Sequence, residues 1–259
     1  MSMSCPVLAS ASALLRQLFE AARMPESHGM THCLAVLSHM ESAVSCGGLT
    51  AEVVAQLTPR RRLALRLAAL LHEADDHKYF KDQGNVSKIL QEVLAGEEEA
   101  GDVQEEVEQM ISYVSASANG NSVPEAAVRD PSLLWPRWCD RLEAIGVVGA
   151  VRCWQYNTEV GDPLLLPTTP RPTTEEEVWA AVTEARWAAY QQGGGSASMM
   201  DHYYDKLLQI AVFPPAVVRC PTLEAEAARR VAPLVALCLE AGRSGEAPVA
   251  SIRALQEAM

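Results

Sequence analysis

Basic residues are scarce: 21 Lys and Arg stand against 33 Asp and Glu over 259 residues, a formal net charge of −12. So acidic a chain disfavours a nonspecific hold on a nucleic-acid backbone, which needs a basic surface. A small phosphorylated substrate stays compatible, because a bound cation reverses the local field. No run of eighteen apolar residues occurs, so no membrane-spanning helix is expected. Signatures of other chemistries are missing as well: GxxxxGK[ST], GxGxxG after a strand, HExxH and GxSxG. The seven cysteines, at 5, 33, 46, 139, 153, 220 and 238, form no CxxC pair. Their odd number and wide spacing point to free buried thiols in a reducing compartment rather than a disulfide framework or a cysteine-rich zinc site. The opening MSMSCPVLASASALLRQLFEAAR lacks a basic segment followed by a cleavable apolar one. A cytoplasmic address is the expectation.

Aromatics make up only 5% of the chain, whereas apolar residues reach 49%, rich in alanine and leucine. That composition fits a soluble helical protein. Helical spacing recurs along the chain, and no section is rich in strand signals. Helices are expected over Val7–Arg23 and roughly 27–44, with Leu34, Leu37, Met40 and Val44 along one stripe. Thr50 can cap a short helix over Ala51–Leu57, and Thr58-Pro59 marks a further start. That next helix buries Leu63, Leu67, Leu70 and Leu71 and ends at His72. Val86–Leu94 and Val103–Val114 continue the pattern around the acidic connection AGEEEAGD, while SASANGNSVPEAAVRD reads as a loop. Leu133–Trp154 is apolar with one acidic insertion, and Asn157–Thr174 is the clearest long loop, a possible lid. Glu175–Gln191 and Asp201–Ile210 are helical on either side of a flexible connection at Gly193–Ser198. A final helix is expected over Leu223–Leu239. The fold class is all-α, as a single domain over 1–259.

The residues able to do chemistry lie in three places. His28 and His32, four apart, share a helix face. His72 and Glu73 are adjacent at a helix end, with Asp75 and Asp76 close behind. Asp140 interrupts an apolar helix, where a buried carboxylate needs a cation or a partner. Spacing does not establish that these regions meet. In the bland alternative His72 caps its helix, Glu73, Asp75 and Asp76 face water, and Asp140 pairs with Arg137 or Arg141.

The segments SHGMTHCLAV, LAALLHEADDHKYF, QMISYVS, CDRLEAIGVVGAVRCW and DHYYDKLLQI occur in the order seen in HD-domain metal-dependent phosphohydrolases. The chain resembles the branch of that family that includes nucleotide phosphohydrolases and pyrophosphohydrolases. The resemblance implies an HD-type helical bundle and a divalent metal held by His32, His72, Glu73 and Asp140. Two positions depart from the family pattern. Gly29 lacks the acidic group of the HDxxH opening, and Glu73 stands where the family has aspartate after the second histidine. Glu73 keeps a charge and two oxygens on a longer arm, so metal retention is expected while turnover is in question. A ligand set of two imidazoles and two carboxylates suits Mn, Co, Ni, Fe, Zn or Mg.

Asp76, beside Glu73, is the candidate proton acceptor, with orientation of His72 as its alternative duty. Lys78, Lys206, Arg141 and Arg152 are candidates for phosphate contact; each could equally be a surface or ion-paired charge. Tyr79, Phe80, Tyr203 and Tyr204 could flank a base or sugar or simply pack. His39 and His202 read as polar helix residues. The expected activity is hydrolysis of a small phosphorylated substrate, a nucleotide by resemblance, through metal-activated water. The rivals are a metal- or nucleotide-binding protein without turnover and a helical interaction protein with a vestigial site. Nothing in the sequence selects an oligomeric state.

Overall fold

The helix-start signals in the sequence are used in the structure. Thr50 Oγ1 accepts from Val53 N at 3.4 Å and Thr58 Oγ1 from Arg61 N at 3.2 Å, each relieving an otherwise unpaired first-turn donor. The computed structural model describes residues 5–24, 29–77 and 79–259, and no strand forms among them. The protein is all-α. His28 and Lys78 lie outside the described residues.

In chain order the first helices are α1 (Pro6–Ala22), α2 (Met30–Val44), α3 (Ala51–Gln56), α4 (Pro59–Leu71), α5 (Asn85–Val93) and α6 (Ala100–Ser112). Two short helices follow, α7 (Ala116–Asn119) and α8 (Glu125–Arg129), then α9 (Trp135–Ala144) and α10 (Gly146–Val160). Beyond them come α11 (Glu175–Ala180), α12 (Glu184–Ala189), α13 (Met199–His202), α14 (Leu208–Ile210) and α15 (Pro215–Val218). The chain finishes with α16 (Pro221–Ser244) and α17 (Val249–Glu257). None of these helices, among the described residues, is long and apolar enough to cross a membrane.

Two compact units result. The first runs to Asp140 and takes in Pro214–Glu224; the second is Arg141–Phe213 with Ala225–Met259. In the first, α4 packs against α2 and α6. Seven of its thirteen residues, Ala64, Leu65 and the run Leu67–Leu71, are buried. Three arginines open that helix, where the dipole disfavours positive charge. They are held nonetheless: Arg60 by Glu99, Asp102 and Glu106, and Arg61 by Glu106 and Asp130. Arg62 donates to the carbonyls of Leu57 and Val44. The apolar half of α4 is thereby driven inward with His72 at its end.

In the second unit, α10 packs against α17, with the Arg253 guanidinium 5.4 Å over the Trp154 ring. A buried polar knot joins α12 and α13 to the loop at Thr169. Arg186 bridges Asp201 at 3.1 Å and Asp205 at 2.6 Å, while Thr169 and Ser198 hydroxyls donate to Asp201 at 2.8 and 2.7 Å.

Several boundaries differ from the sequence expectations. The loop expected over 115–130 contains α7 and α8, because Ser115 accepts from Ala118 N at 3.3 Å and Pro124 precedes a helical start. The apolar run 133–154 is broken at Gly146, whose φ of 76° only glycine adopts readily. Helix α10 continues through Asn157 to Val160, so the loop begins at Gly161. The single helix expected over 175–191 divides into α11 and α12, each with its own threonine cap, Thr174 and Thr183. The last expected helix is longer, Pro221–Ser244, and α17 follows it.

The loop 161–174 is tied to its own unit. Met199 N and Met200 N donate to the carbonyls of Pro163 and Leu164 at 2.9 and 3.1 Å. Arg243 donates to Thr173 O at 3.0 Å. A Cβ built on Gly242 would stand 1.9 Å from Pro172 O. We therefore expect Gly242→Ala to force α16 from this loop and destabilise the protein by about 1–3 kcal/mol, read as a lowered urea midpoint. An unchanged midpoint would show that the loop yields without penalty.

Candidate metal centre

Three stretches of chain converge within the first unit. His32 lies in the first turn of α2, beside the buried positions Cys33, Val36, Leu37 and Met40. His72 is the residue at which α4 stops, and Glu73 follows it. Asp140 comes from α9. One ligand atom from each of His32, His72, Glu73 and Asp140 lies within 4.8 Å of all the others, so the four could hold a metal ion. His32 Nε2 is 3.1 Å from His72 Nε2, 3.3 Å from Asp140 Oδ1 and 3.6 Å from Glu73 Oε1. His72 Nε2 is 3.6 Å from Asp140 Oδ1 and 3.8 Å from Glu73 Oε1.

Those separations test the fit. Donors about 2.1 Å from one ion stand roughly 3.0 Å apart at a right angle and roughly 3.4 Å apart at the tetrahedral angle. The five distances fall in and just beyond that interval. The donor set passes on chemistry too. His72 Nδ1 lies 2.9 Å from Ala69 O, a bond in which the ring N–H donates. That leaves the lone pair on Nε2, the atom facing the cluster, as neutral imidazole ligation requires. The capping role and the ligand role of His72 therefore coexist, one on each ring nitrogen. The longer arm of Glu73 does not remove its carboxylate from the group.

Electrostatics set the resting protonation. Burial pushes the Glu73 carboxyl up to about 7; the Asp140 and Asp76 carboxylates and a hydrogen bond with Asp76 push it the same way, against the pull of His72. Burial would also raise Asp140, but hydrogen bonds from His32 and His72 prevail and hold it well below the usual carboxylate range. Desolvation disfavours a charged His72, yet Asp140 outweighs it, and the imidazole is raised above its ordinary value. The Cys33 thiol is pushed well up by burial and then by Glu73 and Asp140, so it lines the site as a neutral group.

The surrounding residues divide. The Asp76 side chain is 10% exposed and partners Glu73. Asp75 does not face water alone: its carboxylate accepts from Asn85 N at 2.8 Å and Val86 N at 3.2 Å, clipping the start of α5 to the turn after His72. Asn85 Nδ2 adds a bond to Ala74 O at 3.0 Å. Phe80 is buried in the core, its ring stacked 6.3 Å from Phe19. Arg137 donates to Tyr113 O at 2.6 Å and Ser122 O at 2.7 Å rather than forming an ion pair with Asp140. The other proposed phosphate contacts fall in the second unit: Arg141 is buried, Arg152 exposed, and Lys206 half-buried with its ammonium 5.7 Å over the Tyr190 ring. Tyr203 and Tyr204 are fully buried. His202 is driven down to about 4 by burial and by Lys206, and its Nδ1 lies 3.2 Å from Ser196 Oγ. The sequence reading missed Cys33 as a site neighbour and Asp75 as a clip; Asp75 ten residues before the start of α5 carried no local signal.

A raised Glu73 fixes the sign of a pH effect. Its folded value, about 7, exceeds the ordinary 4.5, so its contribution to stability is complete below about 4.5 and is lost as pH rises through 7. Keeping the carboxylate charged at pH 8 costs the metal-free fold on the order of 3 kcal/mol. Metal-free Glu73→Gln should therefore melt above wild type at pH 8 and close to it at pH 5, by calorimetry in chelator. Divalent metal should raise the wild-type Tm far more than that of the variant. Equal melting of the two proteins at pH 8 would remove the strain assigned to Glu73.

No family model matches the chain. In structure it is similar to a crystal structure from Lactobacillus plantarum, a structural-genomics target, with a TM-score of 0.58 and 20% identity over 95% of this chain and 100% of that one. That likeness is one of fold. In sequence it is 34% identical over 194 residues to Uncharacterized protein L803 of Acanthamoeba polyphaga mimivirus, covering 71% of this chain and 75% of the relative. At that identity and coverage, the chain belongs to the same family as the mimivirus protein.

Proposed function

We propose that the chain is an HD-type, metal-dependent phosphohydrolase acting on a small phosphorylated substrate, a nucleotide by resemblance, at a cytosolic address. The observation that carries the reading is the meeting of His32, His72, Glu73 and Asp140, which come from three segments in the order of the HD pattern. Composition supports the need for a cation: Glu73, Asp76 and Asp140 would repel an anionic substrate unless positive charge stood among them. Mn, Co, Ni, Fe, Zn or Mg would supply Lewis acidity toward the phosphoryl group and lower the pKa of water in the site.

The protein's own groups do the rest. His72 is oriented by Ala69 O, and the low value of Asp140 keeps that carboxylate ionised at any working pH. Asp76, hydrogen-bonded to Glu73, would accept a proton from an attacking water. Lys78, two positions after Asp76 in sequence, is the candidate for contact with the phosphate from the unit that carries the cluster. A second reading, metal or nucleotide binding without turnover, is favoured by the same pair of carboxyls. A Glu73 that shares a proton with Asp76 is a weaker ligand near neutral pH and leaves Asp76 engaged.

Phosphate and pyrophosphate release, measured across nucleoside mono-, di- and triphosphates with each divalent metal, tests both. The hydrolase reading expects wild-type turnover with metal and a loss of at least about a hundredfold in His72→Ala, in line with the loss of a metal ligand. Stoichiometric metal without product, together with a gain of activity in Glu73→Asp, would select the binding reading. Equal turnover in wild type and His72→Ala would remove the site altogether.

A further inference from the structure

Cys46 lies just past the end of α2, and Cys220 immediately precedes α16; 174 positions of sequence separate them. Within the first unit their segments lie together. Thr222 Oγ1 donates to Cys46 Sγ at 2.9 Å. Arg219 reaches Glu52 at 2.5 Å, and a Cβ on Gly48 would stand 3.9 Å from Pro221 Cγ. The thiol of Cys46 also bonds to Gly47 O at 3.0 Å, and the Cys220 thiol, two residues before Thr222, is raised first by burial and further by Cys46. Trp135 Nε1 donates to Val218 O at 2.9 Å, which anchors the Cys220 segment from its other side. The two thiols differ in access: Cys46 is half-exposed and Cys220 is buried.

That asymmetry is the arrangement a two-thiol redox pair needs, with one sulfur open to a small oxidant and a second waiting beside it. We propose that Cys46 and Cys220 are an oxidation site, in which a hydroperoxide converts the pair to a disulfide with Cys46 reacting first. The Cys46 sulfur attacks the terminal peroxide oxygen; the O–O bond breaks, and the departing alkoxide takes the Cys46 proton and leaves as alcohol, or as water when the oxidant is hydrogen peroxide. Cys46 is then a sulfenic acid. The Cys220 sulfur attacks the Cys46 sulfur, the S–O bond breaks, and the leaving hydroxide takes the Cys220 proton to form water. Two thiols have lost two electrons and two protons, and the peroxide has accepted them. Burial pushes the Cys220 thiol up to about 12, so it stays protonated and gives up its proton only to the hydroxide that leaves Cys46. Cys139, a third thiol that feels Cys220, is fully buried and pushed well up, which removes it from first attack.

The full-length wild-type protein, treated in its native state with equimolar hydrogen peroxide and then denatured, is the test. Titration should find five thiols in place of the seven in the untreated chain, with seven restored by dithiothreitol. Trypsin alone leaves Cys33 and Cys46 in one peptide, 24–60, whereas further cleavage after Glu41 separates them. Mass spectrometry should then show the peptide containing Cys46 joined to the one beginning at Cys220. Closing so long a loop should raise the Tm by roughly 5–10 °C in the oxidised form. Cys46→Ser should keep all six remaining thiols under the same treatment. Seven surviving wild-type thiols would overturn the proposal. So would a cross-link joining any other pair, or Cys46 oxidised to sulfinic acid while Cys220 stays free.

Discussion

Carboxylates crowded against imidazoles at the blunt end of a buried helix are the constraint around which the first unit is organised. Burial, reinforced by the nearby Asp140 and Asp76 carboxylates, raises Glu73 to about 7, while Asp140 stays ionised through the two histidines. Left to itself such a group is electrostatically unsatisfied, and a divalent cation resolves all of the conflicts at once. The helix that creates the problem is also well made to bear it. The last seven residues of α4 include six that are wholly buried, so its end cannot retreat toward water to dilute the charge. Stability of the ion-free fold and a charge fit to hold a cation thus pull in opposite directions at Glu73.

Around that cluster the scaffold works by placing ordinary interactions where they restrain His72, Glu73 and Asp140. The Ala69 carbonyl settles which nitrogen of His72 faces inward. The arginines that open α4 answer acids on α6 and at Asp130, fixing the far end of the same helix. Arg137 spends its guanidinium on the carbonyls of Tyr113 and Ser122, so the segment after α6 is held to α9, the helix that carries Asp140.

Much of this was legible in the sequence, for reasons that can be named. Thr50 and Thr58 announced their helices because a hydroxyl before a helix has a local job. Met40 and Val44 fell on a buried stripe because burial repeats with the helical period. The four clustered residues were reached through the order of their motifs and not through spacing, since 108 positions separate His32 from Asp140. The break at Gly146 was hidden because the residues on both sides are apolar, and a change of direction leaves no mark on hydropathy. Helix α17 was missed because its register becomes clear only against α10, where Arg253 covers Trp154. The nearness of Cys46 and Cys220 is wholly tertiary, and no local pattern could have announced it.

The Asp75 clip has a consequence beyond its two hydrogen bonds. By joining the turn after His72 to the first residues of α5, it closes the intervening stretch into a small loop whose two roots are fixed independently of what lies between them. Evolution can recharge the exposed Lys81, Asp82 and Gln83 without moving His72 or Glu73, whereas Asp76, bonded to Glu73, and Phe80, buried in the core, are bound to their places.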